Sequence, residues 1–88
     1  MQVKCTKVLA KELNRRFKRR DGFGGYFATV EKAWDFWEGE KQVIRVYYPE
    51  NYYACPRDID NSDLMRVYKD SDKTFDGFFD TLLDSVEV

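Results

Sequence analysis

The chain has no histidine. Its absence removes the commonest general base near neutral pH and the commonest metal ligand. A Cys–His nucleophile pair is excluded. Two cysteines without histidine cannot build a four-ligand structural zinc site within one chain. Cys5 and Cys55 form no CxxC pair, and both are expected to be free, largely buried thiols. No apolar run approaches the ~20 residues that span a bilayer. The N-terminal lysines are not followed by the apolar core of a signal peptide. The expectations are therefore a cytoplasmic, non-enzymatic protein with no membrane, metal or cofactor. The 88 residues make one domain, 1–88, of a size that buries roughly 60–65% of its unfolded surface.

Aromatics and charge are plentiful. There are two Trp, six Tyr and seven Phe, more than a small core needs. The net charge of −1 hides an asymmetry. Residues 1–20 carry +7, from Lys4, Lys7, Lys11, Arg15, Arg16, Lys18, Arg19 and Arg20 against Glu12. The rest carries −8. The two parts can attract each other within the fold, or each can serve a different partner.

Periodicity predicts a first helix capped by Thr6 and running to about Arg20. Val8, Leu9, Leu13 and Phe17, with Cys5 before them, form its apolar stripe. Asp21-Gly22 supplies the stop, and Phe23-Gly24-Gly25 a hinge-like entry to a strand at 26–30. Residues 31–38 fit a strand, with Lys32, Trp34 and Phe36 on one face. They also fit a helix with Val30, Ala33, Trp34 and Trp37 in a stripe. The strand is preferred, because Glu38-Gly39-Glu40-Lys41 then makes a hairpin turn into a strand at 42–48. Pro49 ends that strand. A loop carries Tyr52, Tyr53, Cys55 and Pro56. Asp60, Asn61 or Ser62 caps a second helix bearing Leu64, Met65, Val67 and Tyr68. Ser71 or Asp72 starts a third, bearing Phe75, Phe78, Phe79, Leu82 and Val86 and weakened by Gly77. The fold class is α+β: a small antiparallel sheet of about three strands packed against helices, in the order α-β-β-β-α-α.

Two apparent motifs fail. Asp58–Asp63 begins like a calcium loop, but its sixth position is Asp63 rather than glycine and its twelfth is Lys69 rather than glutamate. These carboxylates are better explained as helix caps. Gly22-Phe23-Gly24-Gly25 follows a helix and precedes a strand, the reverse of a phosphate-binding glycine loop.

Three surfaces are candidates for binding. Tyr48, Tyr52, Tyr53 and Arg57 surround the proline-bounded loop, and exposed tyrosine is favoured at interfaces. Asp76, Asp80 and Asp84 recur every four residues along one helix face, and Asp76 and Asp80 form the acidic option for a basic protein partner. Arg15, Arg16, Lys18, Arg19 and Arg20 are the candidates for phosphate contact, with aromatics nearby to stack on bases. A protein partner ranks first and a nucleic acid second. Monomer and dimer stay open.

The lysine-rich first helix, the tyrosine-rich strand ending at Pro49 and the run Tyr52-Tyr53-Ala54-Cys55-Pro56 resemble small uncharacterised proteins of bacterial mobile elements and phages. The layout is also similar to some anti-CRISPR proteins, although the overall charge lacks the acidity of their DNA-mimicking members. The resemblance implies an accessory or inhibitory binding factor, with a host nuclease or a mobile-element protein as partner. It implies no catalytic residue.

Overall fold

A computed structural model describes residues 3–21, 25–48 and 55–87. Thr6 starts α1 (Lys7–Asp21), its Oγ1 accepting the Leu9 N–H at 3.2 Å. The buried face is Leu9, Ala10, Leu13, Arg16 and Phe17. Val8, expected in the apolar stripe, is 78% exposed. At about 100° per residue it lies some 180° round the helix from Phe17. Arg16 is seven positions past Leu9, within about 20° of it, and therefore falls on the buried line.

The sheet is antiparallel in the order β1 (Phe27–Asp35), β2 (Gly39–Tyr47), β3 (Arg57–Ile59). The α-β-β-β-α-α order holds, but the strands are distributed differently from expectation. Residues 26–30 and 31–38 were predicted as separate strands, yet β1 continues unbroken to Asp35. The turn occupies residues 36–38, not 38–41. Asp35 fixes it, its Oδ1 accepting the N–H groups of Trp37 (2.7 Å) and Glu38 (3.0 Å). Those bonds hold the Asp35 carboxyl below its usual pKa. Gly39 follows at φ 76°, the left-handed conformation that closes a three-residue hairpin loop. The third strand is a short one after the prolines. There Arg45 faces Asp58 in the register and holds it at 2.7 and 3.0 Å.

Asp60 caps α2 (Asn61–Asp70) in a reciprocal capping box with Asp63. Thr74 caps α3 (Phe75–Val86), so that helix starts later than Ser71 or Asp72. Asp72 instead supports the cap, its Oδ1 accepting from the Thr74 N–H at 3.0 Å and from its hydroxyl at 2.6 Å. The same carboxylate lies over Gly77, where a Cβ would collide with it. A glycine that weakens α3 by propensity is thus required by the cap.

One face of the sheet carries Ala28, Val46, Ile44 and Ile59 into a core with Leu9, Leu13, Phe17, Leu64, Phe78, Phe79, Leu82, Leu83 and Val86. Cys5 pins the N-terminal segment to this core. Its N–H donates to Asn61 Oδ1 (2.8 Å), its Sγ–H to the Ile59 carbonyl (3.2 Å), and its carbonyl accepts from Gln42 Nε2 (2.6 Å). Both cysteines are free thiols, but Cys55 is exposed rather than buried as expected. It precedes β3 and faces no core element. The opposite face holds Val43, 1% exposed, among cross-strand pairs that include the stacked Phe27 and Tyr47 rings at 4.8 Å and the Arg45–Asp58 fork.

Candidate functional site

The charge asymmetry of the sequence closes on itself at two residues, Arg16 and Arg20. Arg16, 7% exposed, donates to Glu12 at 2.8 Å and to Asp76 at 2.6 Å. Its guanidinium lies over the rings of Phe75 and Phe79, 5.2 and 4.9 Å from their centroids. Burial opposes the charge, but the hydrogen bonds to Asp76 and Glu12 outweigh it and hold the Arg16 pKa up. Arg15 pairs with Glu12 at 2.8 Å, and Arg20 reaches Asp84 at 2.6 Å and Glu87 at 3.5 Å. Hydrogen bonds from Arg15 first, and Arg16 after it, lower the Glu12 pKa to about 2. Arg16 and Arg20 of α1 thus meet Asp76 and Asp84 of α3 in an ionic seam that is buried at Arg16 and open to solvent at both carboxylates.

This seam divides the predicted phosphate-binding set. Arg16 is buried and engaged, which removes it from any surface that meets nucleic acid. Arg15 and Arg20 are paired within the fold, while Lys18 and Arg19 stay exposed. Among the described residues, Lys7, Lys11, Lys18 and Arg19 have no acidic partner. Of the acidic option, Asp76 holds Arg16. Asp80 lines a shallow cleft with Arg16, Arg19, Arg20 and Leu83.

The tyrosine surface is also partly structural. Tyr48 is half-buried, meets Tyr26 edge-on at 5.2 Å and donates its hydroxyl to the Val86 carbonyl at 2.9 Å. Burial pushes its phenol pKa up. Arg57 donates to the Ser85 carbonyl at 2.6 Å. Together they satisfy two carbonyls at the end of α3, which has no basic residue in its own last turn. Tyr52 and Tyr53 lie outside the described residues.

The largest exposed aromatics were not singled out from the sequence. Trp34, Phe36 and Trp37 are 78%, 82% and 88% exposed at the tip of the β1–β2 hairpin, and Phe36 and Trp37 meet edge-on at 5.2 Å. The signal was the spacing of Asp35 and Gly39 around three residues, which puts Phe36 and Trp37 in the turn rather than on a strand face. Glu38 and Glu40 are exposed beside them. Lys41, in contrast, is turned to Asp60 at 3.1 Å and Asp35 at 3.5 Å. The tip is therefore aromatic and locally acidic.

Among the described residues, no group of three His, Cys, Asp or Glu side chains could hold a metal ion. No helix there is long and apolar enough to cross a membrane. No family model, curated protein or solved structure matches the chain.

Proposed function

We propose that this chain is a non-enzymatic, cytoplasmic binding module that docks a protein partner through the tip of its β1–β2 hairpin. The observation that carries this reading is the exposure of Trp34, Phe36 and Trp37 within four residues at one end of the hairpin. Large aromatics gathered on a surface contribute little to the fold, yet covering each one stabilises a complex by roughly 1.5–3 kcal/mol before binding costs. Glu38 and Glu40 favour a partner that brings basic side chains, which also attract indole faces. An accessory or inhibitory role of the kind encoded by phages and mobile elements, with a nuclease as target, goes with this proposal on the resemblance alone.

The test is a Phe36→Ser, Trp37→Ser double variant in a quantitative pull-down from host extract. We expect unchanged stability and loss of a partner that the wild type retains. Equal retention refutes the tip. Loss in a Tyr52→Ala, Tyr53→Ala variant alone moves the surface to the loop.

A second reading rests on Lys7, Lys11, Lys18 and Arg19, which face solvent without acidic partners. A nucleic acid on this face would be held through phosphates, with affinity falling steeply as salt rises. A Lys11→Glu, Lys18→Glu variant should weaken such binding on every sequence, and unchanged gel shifts dispose of it.

A further inference from the structure

β1 is an edge strand, and Asn14 reveals which of its backbone groups face outward. The Asn14 carboxamide donates to the Ala28 carbonyl at 2.8 Å and accepts the Ala28 N–H at 2.6 Å. Backbone directions alternate along a strand, so the N–H and C=O groups of Val30, Lys32 and Trp34 also point away from β2. Those of Thr29, Glu31 and Ala33 face Arg45, Val43 and Lys41. Asn14 closes only the first outward position. From there the chain runs back to Cys5, which bonds Gln42 of the central strand and Asn61 beyond β3. Among the described residues, nothing bonds the outward groups of Val30, Lys32 and Trp34.

We infer that this edge accepts an extended segment of a different protein as a fourth, antiparallel strand, an inference that rests on the hairpin being the partner surface. Strand addition uses backbone groups for affinity and alternate side chains for choice of partner. The side chains discriminate against a second copy. Two copies related by a two-fold axis through the sheet pair residues of equal parity. The central registers then oppose Lys32 to Lys32, Glu31 to Glu31, or Glu31 to Asp35 twice, and like charges directly opposite are destabilising. A register shifted back needs the Ala28 groups that Asn14 already holds. One shifted towards the tip keeps only the Trp34 pair. The edge instead fits a segment with a basic side chain opposite Glu31, an acidic one opposite Lys32, and apolar ones opposite Val30 and Trp34.

The probe is the blocked heptapeptide Thr-Val-Thr-Glu-Lys-Val-Thr, with Thr-Val-Thr-Lys-Glu-Val-Thr as its charge-swapped control. Amide exchange of the free protein should be fast at Val30, Lys32 and Trp34 and slow at Glu31 and Ala33. The matched peptide should slow the three outward amides. The swapped peptide should bind about tenfold more weakly, equivalent to ~1.4 kcal/mol. Lys32→Pro removes one outward N–H without touching the β1–β2 ladder and should abolish the protection. Outward amides already protected in the free chain, no protection by the matched peptide at millimolar concentration, or equal affinity for both peptides overturns the inference. So does a dimer that the Lys32→Pro change dissolves. The Phe36→Ser, Trp37→Ser variant should take the matched peptide as the wild type does. A failure of the tip and a failure of the edge therefore give different results.

Discussion

Arg16→Ala removes a cation that is both buried and shared between α1 and α3. The wild-type side chain makes charge-assisted bonds to Glu12 and Asp76 and packs over two rings. Breaking a fully buried pair costs ~3–5 kcal/mol, but the partners here are not fully buried. Asp76 is 80% exposed and rehydrates, and Glu12 keeps Arg15. The lost charged hydrogen bonds and cation–π contacts then place the cost at about 3 kcal/mol. Arg16→Met keeps an apolar stem beneath Phe75 and Phe79 and should cost about 1.5 kcal/mol. The assay is urea unfolding, where the midpoint should fall at unchanged slope. In a thermal scan the alanine variant should melt roughly 12–24 °C lower, given ~4–8 °C per kcal/mol in a domain of this size. An Arg16→Ala variant within about 0.5 kcal/mol of wild type would mean that the guanidinium is solvated and the seam adds no stability. Arg16 would then be returned to the surface as a phosphate contact.

Four further outcomes test the rest of the structure. The Glu12 carboxyl is lowered from 4.5 to about 2, so its contribution is complete above pH ~4.5 and lost as pH falls towards 2. After solvent screening this amounts to about 1–2 kcal/mol, and the acid limb of the stability profile should flatten by that amount in Glu12→Gln. Asn14→Ala leaves the Ala28 N–H and C=O without their partner and should cost about 1–2 kcal/mol in urea unfolding. Gly39→Ala forces a side chain into a left-handed backbone at φ 76° and should cost roughly 1–2 kcal/mol, read from the same midpoints. A thiol reagent should label Cys55 alone in the native protein. Cys5 is buried, with its pKa pushed up by burial, so rapid native labelling of both thiols would contradict its place in the core.

The helices, and the starts of α1 and α2, were legible in sequence because their causes are local, whereas α3 starts after Thr74 rather than at Ser71 or Asp72. Thr6 lies within one turn of the N–H it caps, and Asp60 and Asp63 sit at the spacing of a capping box. Phe78, Phe79, Leu82 and Val86 recur at helical spacing whatever covers them. The class α+β and its element order follow from those local signals together with the β-branched run at 43–46. The turn at 36–38 was less legible, because Asp35 and Gly39 act as a pair across the loop. β3 was missed since three residues carry no period of their own. They become a strand only when Arg45 and Ile44 of β2 offer partners.

The sequence by itself determined that two oppositely charged parts share one chain, and left open whether they meet each other or separate partners. Only the tertiary structure decided that Arg16 and Arg20 turn inward to α3, that Tyr48 and Arg57 close the end of that helix, and that Trp34, Phe36 and Trp37 remain outside. The physical reason is that ionic partnership depends on contacts of 2.6 Å between residues 60 and 64 positions apart. Composition and periodicity carry no information about those distances until the helices pack.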